Sequence, residues 1–105
     1  MDEGQFNALA DAALESLEAA LDGCGGDFDI EVKPGGVLEL EFDDGSKIII
    51  NRHSAAREIW VAAKSGGFHY RFEEGQWVNT RDGESLLAAL SRLISAQGGG
   101  QVRLG

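Results

Sequence analysis

The chain has 105 residues, 43% of them hydrophobic, and its 18 acids against 9 lysines and arginines give a formal charge of −9. That length suits one domain, residues 1–105, burying on the order of 65% of its unfolded surface. The apolar content excludes a disordered acidic tail, no run approaches the roughly 20 apolar residues of a membrane span, and the charge argues against nucleic-acid binding.

Phe6, Leu9, Ala13, Leu17 and Leu21 recur at three- and four-residue steps, predicting a helix over 5–22. Asp11, Glu15, Glu18 and Asp22 cluster on its opposite side, and Gly23-Cys24-Gly25-Gly26 ends it. Strict alternation in Asp27-Phe28-Asp29-Ile30-Glu31-Val32 predicts a strand over 27–32 with acids on one side. Further strands are expected at 37–42, 47–51, 59–63, 68–72 and 76–79, joined by short glycine-containing turns. Asp82 or Ser85 caps a second helix over 85–96, with Leu86, Leu87, Leu90, Leu93 and Ile94 as its buried stripe. Gly98-Gly99-Gly100 leads to a tail, 97–105, whose Val102 and Leu104 either dock or fray. Short turns forbid parallel crossovers. The fold class is therefore α+β, a two-layer α-β sandwich with two helices on one face of an antiparallel sheet.

Lone Cys24 forms no internal disulfide, and no Cys/His cluster exists for zinc. The N-terminus, Met1-Asp2-Glu3-Gly4-Gln5, is acidic where a secretory peptide would be basic, so a soluble cytoplasmic protein is expected.

Charge is segregated along the chain. Residues 1–45 hold 13 acids and one base, Lys33, whereas residues 46–105 hold 5 acids and 8 bases. Acids on an amphipathic helix are usually a solvated face. Here Asp11/Glu15, Glu15/Glu18 and Glu18/Asp22 are like-charge pairs at helical contact spacing, each costing about 0.2–0.5 kcal/mol. No Lys or Arg precedes Lys33, and Asp22 sits at the negative end of the helix dipole. Something other than the fold itself favours the stripe. If the helix lies beside the first strand, Asp27, Asp29 and Glu31 extend the stripe into one ridge. Carboxylates alone suit hard cations such as calcium, magnesium, manganese or iron. Their open spacing predicts weak binding of a largely hydrated ion. A basic partner surface is the other ligand such a ridge fits.

Opposite the helices, the sheet is expected to show Trp60 with Asn51, Arg52, His69 and Arg71 nearby, residue types common at binding hot spots. A Trp half-buried against an Arg side chain is the plainer reading. No catalytic constellation emerges. His53 and His69 have no evident nucleophile, and Cys24 lies among carboxylates that disfavour a thiolate.

Asp43-Asp44-Gly45-Ser46-Lys47-Ile48-Ile49-Ile50-Asn51-Arg52 resembles the central segment of the bacterial frataxins. Ile59-Trp60-Val61-Ala62-Ala63-Lys64-Ser65-Gly66-Gly67-Phe68-His69-Tyr70 is similar to that family's most specific stretch. Phe6 to Asp11 and Trp77 to Glu84 resemble its terminal portions, so the likeness runs along essentially the whole chain. The resemblance implies a frataxin-like sandwich and a non-enzymatic role in iron–sulfur cluster assembly. It also implies weak, exchangeable binding of ferrous and ferric iron on Glu15, Glu18, Asp22, Asp27, Asp29 and Glu31. The implied partners are a cysteine desulfurase, met by the ridge at Glu18 and Asp22, and the iron–sulfur scaffold, with Asn51 and Trp60 facing the assembly of desulfurase and scaffold. The chain departs from the family pattern in three places. Glu18-Ala19 and Asp22-Gly23 stand where many members carry acidic doublets, His53 to Glu58 lacks a proline and two glutamines, and Asn7 replaces a frequent histidine. The rival expectations are an iron store or ferroxidase that oligomerises, and an acidic adaptor without metal. A monomer is the expected resting state.

Overall fold

The computed structural model describes residues 1–98 and 101–104, in the order α1 (Glu3–Asp22), β1 (Phe28–Lys33), β2 (Val37–Phe42), β3 (Lys47–His53), β4 (Glu58–Ala63), β5 (Gly66–Glu73), β6 (Gln76–Asn79) and α2 (Leu86–Gly98). Helix α1 begins two residues before its predicted start at residue 5, because Asp2 caps it. The Asp2 carboxylate accepts from the Gln5 amide at 2.7 Å, and the Gln5 side chain accepts from the Asp2 amide at 3.1 Å. This reciprocal pair satisfies two orphan donors of the first turn. Phe6, Ala10, Leu14, Leu17 and Leu21 are the buried stripe, with Leu9 and Ala13 packed at its flank.

All six strands form one antiparallel sheet in sequence order, β1-β2-β3-β4-β5-β6. Leu38, Leu40, Ile48, Ile50, Ile59, Val61, Tyr70 and Trp77 project from one face, where both helices cover them in a single core. Val32 faces the same side as Phe28 and Ile30, beside Leu14 and Leu38, but is not covered there. At the end of an edge strand it is 59% exposed.

Helix α2 buries Leu86, Ala89, Leu90, Leu93 and Ile94, whereas Leu87 is 41% exposed. The correction follows from helical geometry: at 100° per residue the buried stripe runs from Ala89 on one flank to Ile94 on the other, and Leu87 lies about 20° outside Ile94, in the first turn, where it stays exposed. Ser85 Oγ accepts from the Ala88 amide at 3.2 Å and serves as the cap, while Asp82 closes the preceding turn through the Glu84 amide. The tail docks. Ser91 Oγ accepts from the Leu104 amide at 2.9 Å and Ser95 Oγ from the Val102 amide at 2.8 Å, which seats Val102 and Leu104 on the core. Gly99, Gly100 and Gly105 lie outside the described residues. Among the described residues, no helix is long and apolar enough to cross a membrane.

Candidate functional site

In β1, Phe28 and Ile30 pack on the core, so alternation turns Asp29 and Glu31 to the outer face of the sheet, away from the helices. The register sets Asp29 opposite Glu41 and Glu31 opposite Glu39, two like-charge cross-strand pairs. Glu39 is 7% exposed and is held by Lys33 and Lys47, each at 2.7 Å. Hydrogen bonds from Lys33 and Lys47 push its carboxyl below the usual range, and Glu39 raises both lysines in return. This acid is neutralised within the fold.

The helix contributes a second set. Asp11, Glu15 and Glu18 line a groove of about 480 Å³ between α1 and the β1–β2 hairpin, with Lys33 and Leu38 on its far side. Asp11 is paired with Arg52, which corrects two expectations. The stripe is not wholly uncompensated, and Arg52 is not on the outer face. Arg52 continues the Ile48 and Ile50 side of β3, pointing toward the helix layer. Gly36 makes room for it. With φ at +78°, that glycine lies so close to Arg52 that a Cβ there would meet Nε at 2.8 Å.

Asp27 and Asp29 lie at the other end of β1, where with Glu41 and Asp43 they line a polar hollow of about 330 Å³. The charge of Asp27, and then a hydrogen bond with it, push the Asp43 carboxyl above its usual range, with burial and the charges of Asp29 and Asp44 adding to this. Glu41 and Asp43 belong to the acidic edge, yet sequence reasoning did not single them out. Their signal is the hairpin register that pairs Phe28 with Phe42 and so brings Asp43 back beside Asp27. Asp22 stands exposed at the end of α1. Among the described residues, no ion pair reaches Glu15, Glu18, Asp22, Asp27, Asp29 or Glu31. Nor does any group of three or more His, Cys, Asp or Glu among them converge as a metal cage. The structure brings Glu15 and Glu18 together in the groove beside α1 and Asp27 and Asp29 together in the hollow at the start of β1, while Asp22 ends the helix and Glu31 lies on the outer face of β1. Cys24 takes no part in it; its Sγ donates to the Leu21 carbonyl at 3.1 Å.

Trp60 lies on the outer face, in one row with Asn51 of β3 and His69 of β5. A shallow concavity of about 230 Å³ there is lined by Ile49, Asn51, Trp60, Ala62 and His69 among others. Strand β3 runs two residues beyond its expected end, because His53 pairs with Glu58, and this brings His53 onto the same face. His53 stacks on the Trp60 indole at a centroid distance of 3.8 Å and His69 stacks on it at 4.4 Å. The indole Nε1 donates to Glu58 Oε1 at 2.8 Å, and His69 Nδ1 lies 3.5 Å from the same oxygen. Arg71 stands on this face beyond His69 and donates to Glu73 at 2.7 Å. The indole is thus held by histidines and a glutamate. Neither arginine of the expected set touches it.

Two helices on one face of a six-stranded antiparallel meander, with an acidic edge and a tryptophan on the bare face, define a class of α-β sandwich. The model of the frataxin-like domain matches residues 1–100, and the chain belongs to that family. It is 57% identical over 99 residues to the iron–sulfur cluster assembly protein CyaY of Dechloromonas aromatica (strain RCB), covering 94% of each chain. It is 50% identical to the protein of the same name from Janthinobacterium sp. (strain Marseille), covering 94% of this chain and 92% of that one. Among solved structures, the frataxin of Psychromonas ingrahamii superposes with a TM-score of 0.91 at 31% identity, covering 100% of this chain and 99% of the other. Trimeric frataxin from Saccharomyces cerevisiae, complexed with ferrous iron, gives 0.66 at 26% identity, covering 94% and 88%.

Proposed function

We propose that the chain is a non-enzymatic regulator of iron–sulfur cluster assembly whose α1–β1 edge meets iron or a cysteine desulfurase. The observation that carries this reading is the set of carboxylates at Glu15, Glu18, Asp22, Asp27, Asp29 and Glu31, Glu18 half-buried and the others exposed, without cationic partners among the described residues. The names of the relatives and the ferrous complex of the yeast protein support it. All-carboxylate donors fit hard iron ions, and their elongated arrangement favours a hydrated ion held by one or two groups at a time. Iron is cargo here, and it exchanges readily. A basic desulfurase surface recognises the same carboxylates by complementary potential, so each ligand weakens the other. Asn51 and Trp60 on the outer face are the proposed contact with the scaffold protein, and the cytoplasm is the proposed setting.

Reversing Glu18 and Asp22 together to Lys is expected to abolish binding of the cysteine desulfurase in a pull-down while the circular dichroism spectrum is retained. Undiminished binding by the folded variant removes the edge from the mechanism. The trimeric yeast neighbour favours a second reading, an iron store or ferroxidase built from oligomers. Native mass measurement with and without ferrous iron and oxygen separates the two, since the regulator stays monomeric and the store assembles.

A further inference from the structure

The outer face holds a device that the acidic edge does not explain. Trp60 lies between two imidazoles whose planes are within 10° and 8° of its own. In the same patch, Asn51 Oδ1 and His53 Nδ1 are buried and lack a hydrogen-bond partner. Both side chains stand on the outer side of β3, two residues apart, a separation of roughly 6–7 Å along the strand. Asn51 Oδ1 is an acceptor without a donor. His53 Nδ1 becomes a donor whenever the ring is doubly protonated.

We propose that the His53–Trp60–His69 stack is a proton-operated latch on Trp60, closed when protonated His53 donates from Nδ1 to Asn51 Oδ1 and lies as a cation on the indole. The step takes one proton from solvent to each imidazole and breaks no covalent bond. Histidine is the side chain whose charge changes between about pH 5 and 8, and a cation over the face of tryptophan is the strongest of the cation–aromatic pairings. Glu58, the cross-strand partner of His53, stands 3.5 Å from His69 Nδ1, and its hydrogen bond to the indole Nε1 fixes the ring plane. The remaining charges near the stack are Arg71 on β5, which Glu73 engages, and Arg57 in the β3–β4 loop, which is bonded to the Ser54 carbonyl. Acidification therefore pins Trp60 and adds positive charge to the outer face. At alkaline pH, stacking without a cation and the Glu58 hydrogen bond hold the indole, which can turn outward to a partner.

The test needs no partner, so its outcome is independent of the role proposed for the acidic edge. The indole N–H resonances of Trp60 and Trp77 and the imidazole resonances are followed by NMR from pH 8 to 5. The Trp60 resonance is expected to move together with the His53 titration while buried Trp77 stays still, which also reports an intact core. Asn51→Ala is expected to weaken proton binding by His53 about tenfold, as the loss of a hydrogen bond to a charged group requires. The double variant His53→Gln, His69→Gln is expected to flatten the Trp60 curve. A Trp60 resonance that stays flat while both histidines titrate overturns the latch. So does a Trp60 curve that survives in the double variant, or a His53 titration unmoved by Asn51→Ala.

Discussion

Along the α1–β1 edge, Glu15, Glu18, Asp22, Asp27, Asp29 and Glu31 have no ion-pair partner among the described residues, whereas on the outer face Trp60, Glu58, His53 and His69 are one another's partners. The edge holds its charge in solvent at a cost to the fold, and its field reaches about a Debye length, 10 Å at 0.1 M salt. Such a surface steers and orients a positive partner. The outer face is largely closed on itself apart from Asn51 Oδ1 and His53 Nδ1, and around Trp60 a partner gains mainly by replacing contacts that already exist. Where the fold does neutralise an acid of this edge, it uses a specific base: Arg52 for Asp11, and Lys33 with Lys47 for Glu39. The unpaired acids are therefore a selected subset, and the two surfaces respond differently to salt, pH and truncation.

The largest expected effect belongs to the self-satisfied face. Trp60→Ala removes two aromatic stacks and the hydrogen bond to Glu58, and is expected to cost about 2 kcal/mol in urea unfolding. The loss should be nearly independent of salt, since little of it is long-range Coulomb energy. A loss below about 0.5 kcal/mol would mean that the stack is a surface arrangement without cohesion, and the contrast with the acidic edge would fail.

Much of this was legible in the residues and some was not. Period-two alternation from Phe28 to Val32 and from Val37 to Phe42, with glycine turns between, leaves little choice but an antiparallel meander. The unpaired acids of α1 were legible because a helix with no base before Lys33 cannot compensate them locally. Arg52 was misplaced through neglect of the same alternation, which sets it on the side of Ile48 and Ile50. His53 was harder to find. Its place beside Trp60 depends on β3 continuing to pair with β4 as far as Glu58, a tertiary fact that no local pattern carries. The Asp27–Asp43 proximity likewise needs the hairpin register. Local periodicity reports which way a side chain points, and pairing decides what it meets.

A smaller effect of opposite sign is expected at the edge. Asp22→Lys places a cation in the last turn of α1, where the helix dipole favours it, and four residues after Glu18 in the favourable Glu-to-Lys order. The variant is expected to be more stable by about 1 kcal/mol at low salt. Raising NaCl from 10 mM to 0.5 M should raise the melting temperature of the parent chain and do so less in the variant, because screening relieves repulsion that the lysine has already removed. Equal salt responses in the two proteins would show that the carboxylates of α1 do not repel one another appreciably.

The subtlest contrast lies within the acidic edge, between Asp43 and Glu39, and pH separates them. The Asp27 charge raises the Asp43 carboxyl in the folded chain, so folding favours its protonated form. That contribution is fully present below the unfolded value, near 3.9, and is lost as pH rises through the raised one. Lys33 and Lys47 lower the Glu39 carboxyl, so its contribution is present above its unfolded value, near 4.3, and is lost as pH falls through the lowered one. Asp43→Asn is therefore expected to raise the melting temperature at pH 7, and Glu39→Gln to lower it. The Asp43 difference should shrink as pH falls through its raised value and be gone below about 3.9, whereas the Glu39 difference should begin to shrink only at about 4.3 and vanish as pH falls through its lowered value. Melting curves of the three proteins between pH 7 and 3 check this directly. If Asp43→Asn lowers stability at pH 7, the carboxylates of the β1–β2 hairpin end do not repel one another. In that case only α1 would supply uncompensated charge to the edge.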